Sequence, residues 1–258
     1  MNTENWTNLL TAAVTTPGLL LEAYSAFHDY SIGNQLLALI QCKGRRIQPG
    51  PIATYPAWQA KGRQVRKGEK ALTLCMPITV KGKDDEYPDA RYTRFVYKPR
   101  WFVLSQTNGQ PVEPTLPPDW SRERALASLN VTETPFTDTS GNTQGYAAGR
   151  SVAINPLAQL LHKTLFHELA HVLLGHTAAG QTHDGESLPR SLQEAEAESV
   201  ALICCEALQL AGAEYCRGYI QNWLKGAPIP ERSAQKIFHA ADQIIKAGQP
   251  QEGTPAHA

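Results

Sequence analysis

The chain has 258 residues, with 24 Lys and Arg against 24 Asp and Glu, so its formal charge is zero. That length allows one large domain or two ordinary ones, and an apolar fraction of 42% suits packed cores and excludes a disordered chain. No apolar run approaches the roughly 18–20 residues of a membrane span. No basic and apolar leader opens the chain, and five cysteines without a C-x-x-C pair point to a reduced, cytoplasmic protein without a disulfide framework.

The zero charge hides an asymmetry. Met1 to Arg100 carries 14 basic and 8 acidic residues, while Trp101 to Ala258 carries 10 and 16. Eight of the cations, with the single acid Glu69, crowd between Lys43 and Lys70. Different partners are expected for the two halves.

In chain order, Trp6–Val14 and Leu19–Gln41 show helical spacing of apolar residues. Lys70–Val80 alternates as a strand, with Phe95–Leu104 as its partner and the acidic Lys81–Asp89 as the connecting loop. Ser105–Asp119, with four prolines and the turn pair Asn108-Gly109, reads as a linker. The expected organisation is α+β: a small α+β domain over 1–107, a Pro-rich linker over 108–120, and a mainly helical domain over 121–258. In the last, Ser121 opens a short helix, and Gly145–Ala148 and Ser151–Asn155 form a short strand pair. Asn155-Pro156 starts a helix running from Leu157 to Leu174 and stopped by Gly175. Further helices are expected over Ser191–Leu210 and Glu231–Ala247.

The chemistry concentrates in His167-Glu168-Leu169-Ala170-His171. Two histidines four apart on a helix share a face, so both imidazoles can reach one ion. Glu168, rotated by about 100°, falls beside that ion, where it can take a proton from water instead of ligating. A catalytic zinc needs a third protein ligand. The run Glu194-Ala195-Glu196-Ala197-Glu198 on the next helix offers it: Glu194 and Glu198 share a face, so one can bind metal while the other orients a ligand histidine. Tyr215 or Tyr219 could stabilise an oxyanion, although a packing role fits either ring better.

In the basic half, aromatics alternate with cations. Tyr55 and Trp58 precede Lys61, Arg63, Arg66, Lys67 and Lys70; Tyr92, Tyr97, Trp101 and Phe102 add rings, and Arg91 and Arg94 add charge. Single strands are held by a positive groove with aromatic faces on which bases stack. A buried Trp58 and a merely solvated basic surface fit the same letters, so the pattern alone leaves the matter open.

The segments His167-Glu168-Leu169-Ala170-His171-Val172-Leu173-Leu174-Gly175-His176 and Glu194-Ala195-Glu196-Ala197-Glu198-Ser199-Val200-Ala201 resemble the gluzincin-type metallopeptidase domain of the ImmA/IrrE and antirestriction ArdC group. Tyr30-Ser31-Ile32-Gly33-Asn34-Gln35-Leu36-Leu37, Trp58, Gly62-Arg63 through Lys70, and Met76-Pro77 are similar to the N-terminal single-stranded-DNA-binding domain of ArdC-type proteins. The resemblance implies His167, His171 and Glu194 as ligands of zinc, with manganese or cobalt as other occupants, and Glu168 as the catalytic base. Glu198 supports a ligand histidine, Glu196 is the second candidate for the third ligand, and His176 lies behind the ligands. It also adds Asn34 to the nucleic-acid-binding set. Single-stranded DNA and a protein substrate are the implied partners, with no membrane. An antirestriction role on incoming mobile DNA follows. Two other readings stand beside it: a DNA-shielding protein with a structural metal, and a regulatory protease that cleaves a repressor or host protein.

Overall fold

The computed structural model describes residues 5–81, 91–113, 115–138, 141–177, 188–224 and 226–250. Three helices come first: α1 (Trp6–Thr15), α2 (Leu19–Phe27) and α3 (Ile32–Arg45). Next are β1 (Ile52–Thr54), α4 (Tyr55–Ala60) and β2 (Arg63–Val65), then the long pair β3 (Leu72–Lys81) and β4 (Arg91–Val103), then β5 (Thr107–Gly109). The remainder holds α5 (Arg122–Ser128), β6 (Thr132–Glu133), β7 (Gly145–Ala148), β8 (Ser151–Ile154), α6 (Leu161–Leu173), α7 (Arg190–Ala207), α8 (Ala213–Leu224) and α9 (Glu231–Ala247). The fold is α+β, as expected.

The chain divides into two compact units, one of residues 26–115 and one of residues 1–25 with 116–258. The division falls after residues 25 and 115, where the sequence suggested a first domain over 1–107. Residues 5–25 group with the helical unit, where carboxylates far along the chain hold their helix ends. Glu231 accepts the backbone N–H of Trp6 and of Thr7, each at 2.9 Å, and Glu206 accepts that of Leu20 at 3.0 Å. The first N–H groups of a helix have no partner within it, so an acid placed there stabilises the helix start twice, by hydrogen bonding and by charge. The linker is also shorter than predicted: Thr107–Gly109 pairs antiparallel with Arg63–Val65 as β5.

In the 26–115 unit, β4 lies between β1 and β3, antiparallel to both. The outer edge of β3 is closed by two amide side chains of α3. Asn34 donates to the carbonyl of Cys75 and accepts its N–H, both at 2.8 Å; Gln41 does the same for Thr73 at 2.8 and 2.9 Å. Two side chains seven residues apart on a helix thus replace a missing strand, satisfying edge groups that would otherwise invite another chain. The predicted helix over Leu19–Gln41 is two helices. Its break falls at His28–Ser31, where Tyr30 N–H turns back to Phe27 O at 3.0 Å and Ser31 O starts α3 by accepting from Gln35 at 2.8 Å.

The other unit is built around α7, buried without interruption from Ala195 to Ala207. Helices α6, α8 and α9 pack on it. β8 lies between β6 and β7, parallel to the first and antiparallel to the second, so the predicted strand pair gains a short third member. Helix α6 starts four residues later than predicted. The side chain of Asn155 accepts from Leu157 N and its carbonyl from Ala158 N, both at 2.9 Å, which holds Pro156 and Leu157 in a turn. Helix α8 has no counterpart among the predicted helices; among its described side chains the buried ones are Ala213, Cys216 and Ile220, a narrow stripe. Trp120 ends the connecting segment by docking edge-on against Phe166, with its indole N–H on the carbonyl of Ile244 at 3.0 Å. Gly248 is required there, since a Cβ would stand 2.1 Å from the indole nitrogen. Among the described residues, no helix is long and apolar enough to cross a membrane.

Candidate metal centre and nucleic-acid surface

Helix α6 presents Lys163, His167 and His171 at intervals of four, on one face that meets α7. The small, fully buried Ala195 and Ala197 of α7 alternate with Glu194, Glu196 and Glu198 at that contact. His167 Nε2 lies 3.0 Å from His171 Nε2, and Glu194 Oε2 lies 3.4 and 3.7 Å from those two atoms. A cation with bonds of about 2.0–2.1 Å at tetrahedral angles would space its ligand atoms by about 3.3–3.4 Å. The triangle brackets that spacing, so the residues present fit a divalent ion; among the described residues this is the group of three such side chains close enough to hold one.

Two chains of polar contacts reach the imidazoles from behind. On one side His171 Nδ1 meets His176 Nδ1 at 3.0 Å, and His176 Nε2 meets Glu196 Oε2 at 2.9 Å, with both outer side chains almost wholly buried. On the other, Lys163 Nζ donates to Glu198 Oε1 at 2.6 Å, and the same oxygen lies 3.3 Å from His167 Nδ1. That last contact is between charges and poorly aligned, since His167 Nδ1 has no hydrogen-bond partner. Such backing carboxylates set the tautomer and direction of ligand imidazoles.

The electrostatics follow from burial and pairing. Burial works against charge on His167, but Glu194 and Glu198 outweigh it and push the imidazolium up to about 9. The same contacts, from His167 first and then His171, hold the Glu194 carboxyl far below the ordinary range. Burial also opposes ionisation of Glu198, yet His167 and Lys163 bring it down to about 2. Glu168 is different. It lies outside the triangle, buried, and its carboxyl is raised because desolvation outweighs the nearby imidazoles. Gly145 of β7 lets that strand close on it: a Cβ there would come within 3.2 Å of Glu168 Cγ and 2.8 Å of Thr164.

Lys163 is the residue that the pattern of letters did not single out. Its only signal was position, one helical turn before His167. Its side chain is largely buried, and the ring of Tyr219 stands 5.2 Å from its ammonium. Tyr219 and Tyr215 are themselves exposed on α8. His162 packs against Trp120 and Phe166, and His183 lies outside the described residues.

The predicted nucleic-acid residues are not brought together in the same way. Trp58 is buried to 1% exposure, with its indole N–H on the carbonyl of Phe102 at 2.8 Å, so its faces cannot stack on a base. Asn34 spends its amide on β3. Arg63 donates to Thr107 Oγ1 at 2.7 Å, to Thr107 O at 3.1 Å and to the carbonyl of Gln110, locking β2 to β5. Arg66 pairs with Glu69 at 2.5 Å, and Gln106 holds the other oxygen of that carboxylate at 2.9 Å. Tyr55 is exposed, but its hydroxyl accepts from Gln64 at 2.7 Å. Lys61, Lys67, Lys70 and Arg94 are exposed to solvent; the side chain of Arg91 and the loop after Lys81 lie outside the described residues.

A basic α+β unit is thus joined in one chain to a helical unit carrying a two-histidine, one-carboxylate cluster of the kind that holds a divalent cation. Residues 3–110 match the family of the N-terminal domain of anti-restriction factor ArdC. Two crystal structures of the antirestriction ArdC protein from the R388 plasmid share the fold. The metal-free one has a TM-score of 0.55 and 20% identity over 96% of each chain. The Mn(II)-bound one has a TM-score of 0.56 and 20% identity over 95% of this chain and 98% of its own. No curated protein sequence matches. Residues 3–110 thus belong to the family of the ArdC N-terminal domain, and the chain as a whole has the fold of the ArdC protein.

Proposed function

We propose that this chain is an antirestriction protein that binds single-stranded DNA through its 26–115 unit and holds a catalytic divalent cation between α6 and α7. The observation that carries the reading is the triangle of His167, His171 and Glu194 beside a buried acid that takes no part in it. A Mn(II)-bound structure of an ArdC protein with this fold supports a divalent occupant. Imidazole and carboxylate donors suit zinc, manganese and cobalt alike.

When bound, such an ion acts as a Lewis acid and lowers the pKa of a water towards about 7. The protein's own contribution is then orientation and proton handling. Glu198 and His176 keep the two imidazoles turned towards the shared point. Glu168, its carboxyl raised by desolvation, takes a proton at a carboxylate oxygen and returns it to a leaving amine, as a general base turned acid. The reaction class is metal-assisted peptide hydrolysis. The 26–115 unit would bring this chemistry to incoming single-stranded DNA in a bacterial cytoplasm.

The test is Glu168→Gln in a restriction-protection assay during DNA transfer, with bound metal measured on the same preparation. Loss of protection with metal retained supports catalysis. Full protection by that variant would mean that the chain acts by covering DNA and that the ion only stabilises the helical unit.

A further inference from the structure

We infer that single-stranded DNA stacks on the β3–β4 ribbon, with Phe95 and Tyr97 as paired base platforms. The inference rests on the single-strand reading above and names its contact surface. Of the large exposed apolar side chains in the 26–115 unit, three lie on β4: Tyr92 at 54%, Phe95 at 66% and Tyr97 at 37% exposure. An exposed phenylalanine forfeits about 1.5–3 kcal/mol of burial, which a strand has no reason to leave unused without a partner.

The geometry favours bases over other occupants. Alternate residues of a strand share a face, so Phe95 and Tyr97 stand side by side, about 6.8 Å apart along the chain. They face the same way as Pro77 and Cys75, their cross-strand partners. Sheets that bind single strands use same-face aromatics to stack two or three bases. Pro77 removes a donor from β3 opposite Phe95, which discourages addition of a protein strand along that edge. From Arg91 to Arg100, β4 pairs with β3 alone, so among the described residues no strand covers the ribbon's other margin there. Arg94, Lys98 and Arg100 alternate with the rings and are exposed; neither strand contains an acid. The acids of residues 84–89 all belong to the connecting segment. Two rings on one face of a strand whose alternate positions carry cations combine a stacking surface with charge for a phosphate backbone.

Fluorescence polarisation of the full-length protein with a labelled oligothymidylate of about 20 nucleotides, over a salt series, tests this, with a duplex of equal length as control. Phe95→Ala and Phe95→Ala/Tyr97→Ala should lose affinity about 5- to 150-fold per ring, at an unchanged slope of log K against log salt. Phe95→Trp should bind like wild type. Arg94→Ala/Lys98→Ala should instead flatten the slope, by about 0.7 for each phosphate no longer neutralised. If wild type binds and the double ring variant binds within about twofold of it, the platform is overturned while the single-strand reading stands. A Phe95→Trp variant as weak as Phe95→Ala overturns stacking as the cause. If wild type itself binds no single strand, the parent reading falls and this one with it. Phe95 is two-thirds exposed, so its removal leaves the fold intact, which a thermal melt verifies.

Discussion

In the helical unit, His167 and His171, singled out by spacing, come together with Glu194, one of the carboxylates that spacing left open and the one the family resemblance chose. In the 26–115 unit, residues singled out by type or by resemblance scatter: Trp58 enters the core, Asn34 finishes a sheet edge, and Arg63 ties two strands. Helical spacing specifies relative direction, because residues four apart must share a face. A mixture of rings and cations specifies nothing about direction, because each strand or turn decides afresh which side meets water. Composition therefore located the basic unit without locating its surface.

The sharpest way to break that contrast is to attack one residue from each side. His171→Ala should lower divalent-metal affinity more than about 100-fold, beyond what removal of an outer partner costs, by isothermal titration with zinc or manganese. Binding left intact would mean that the triangle is not the metal site. Trp58→Ala should cost about 3–5 kcal/mol of stability, read by denaturant unfolding. A drop in DNA affinity without such destabilisation would return Trp58 to the binding surface.

Lys163→Met tests the support behind His167. With the ammonium gone, buried Glu198 keeps only His167 as a cationic partner, and metal affinity should drop about 10- to 100-fold, while Lys163→Arg should restore much of it. Equal affinities in wild type, Met and Arg variants would reduce Lys163 to a packing residue.

The site's pH response has a definite sign. His167 in the metal-free fold sits at about 9, above its unfolded value of about 6.5. Its stabilising contribution is therefore complete below about pH 6.5 and disappears as pH rises through 9. Metal binding runs the other way, strengthening over that interval because the ion displaces a proton from the imidazole. Melting temperatures of metal-free and metal-loaded protein should diverge between pH 6.5 and 9, and parallel curves would refute the assignment. The smallest effect belongs to Lys67→Ala. If it touches a phosphate, the salt slope falls by about 0.7 with only a modest change in affinity; an unchanged slope places it outside the DNA path.

Much of this protein is settled by local sequence. The α6 and α7 spacing, the alternation of β3 and β4, the hairpin around Gly149-Arg150 and the whole of α9 depend on backbone geometry within a turn or a strand, and they are legible as letters. Tertiary structure alone decided the rest. It drew the first 25 residues to the helical unit through Glu206 and Glu231, chain positions more than 180 residues distant from the backbone groups they cap. It also hid Trp58, left Phe95 in solvent, and placed Lys163 behind His167 through an acid on another helix. Burial and pairing of that kind depend on what arrives from remote segments, and no periodicity within one segment encodes it.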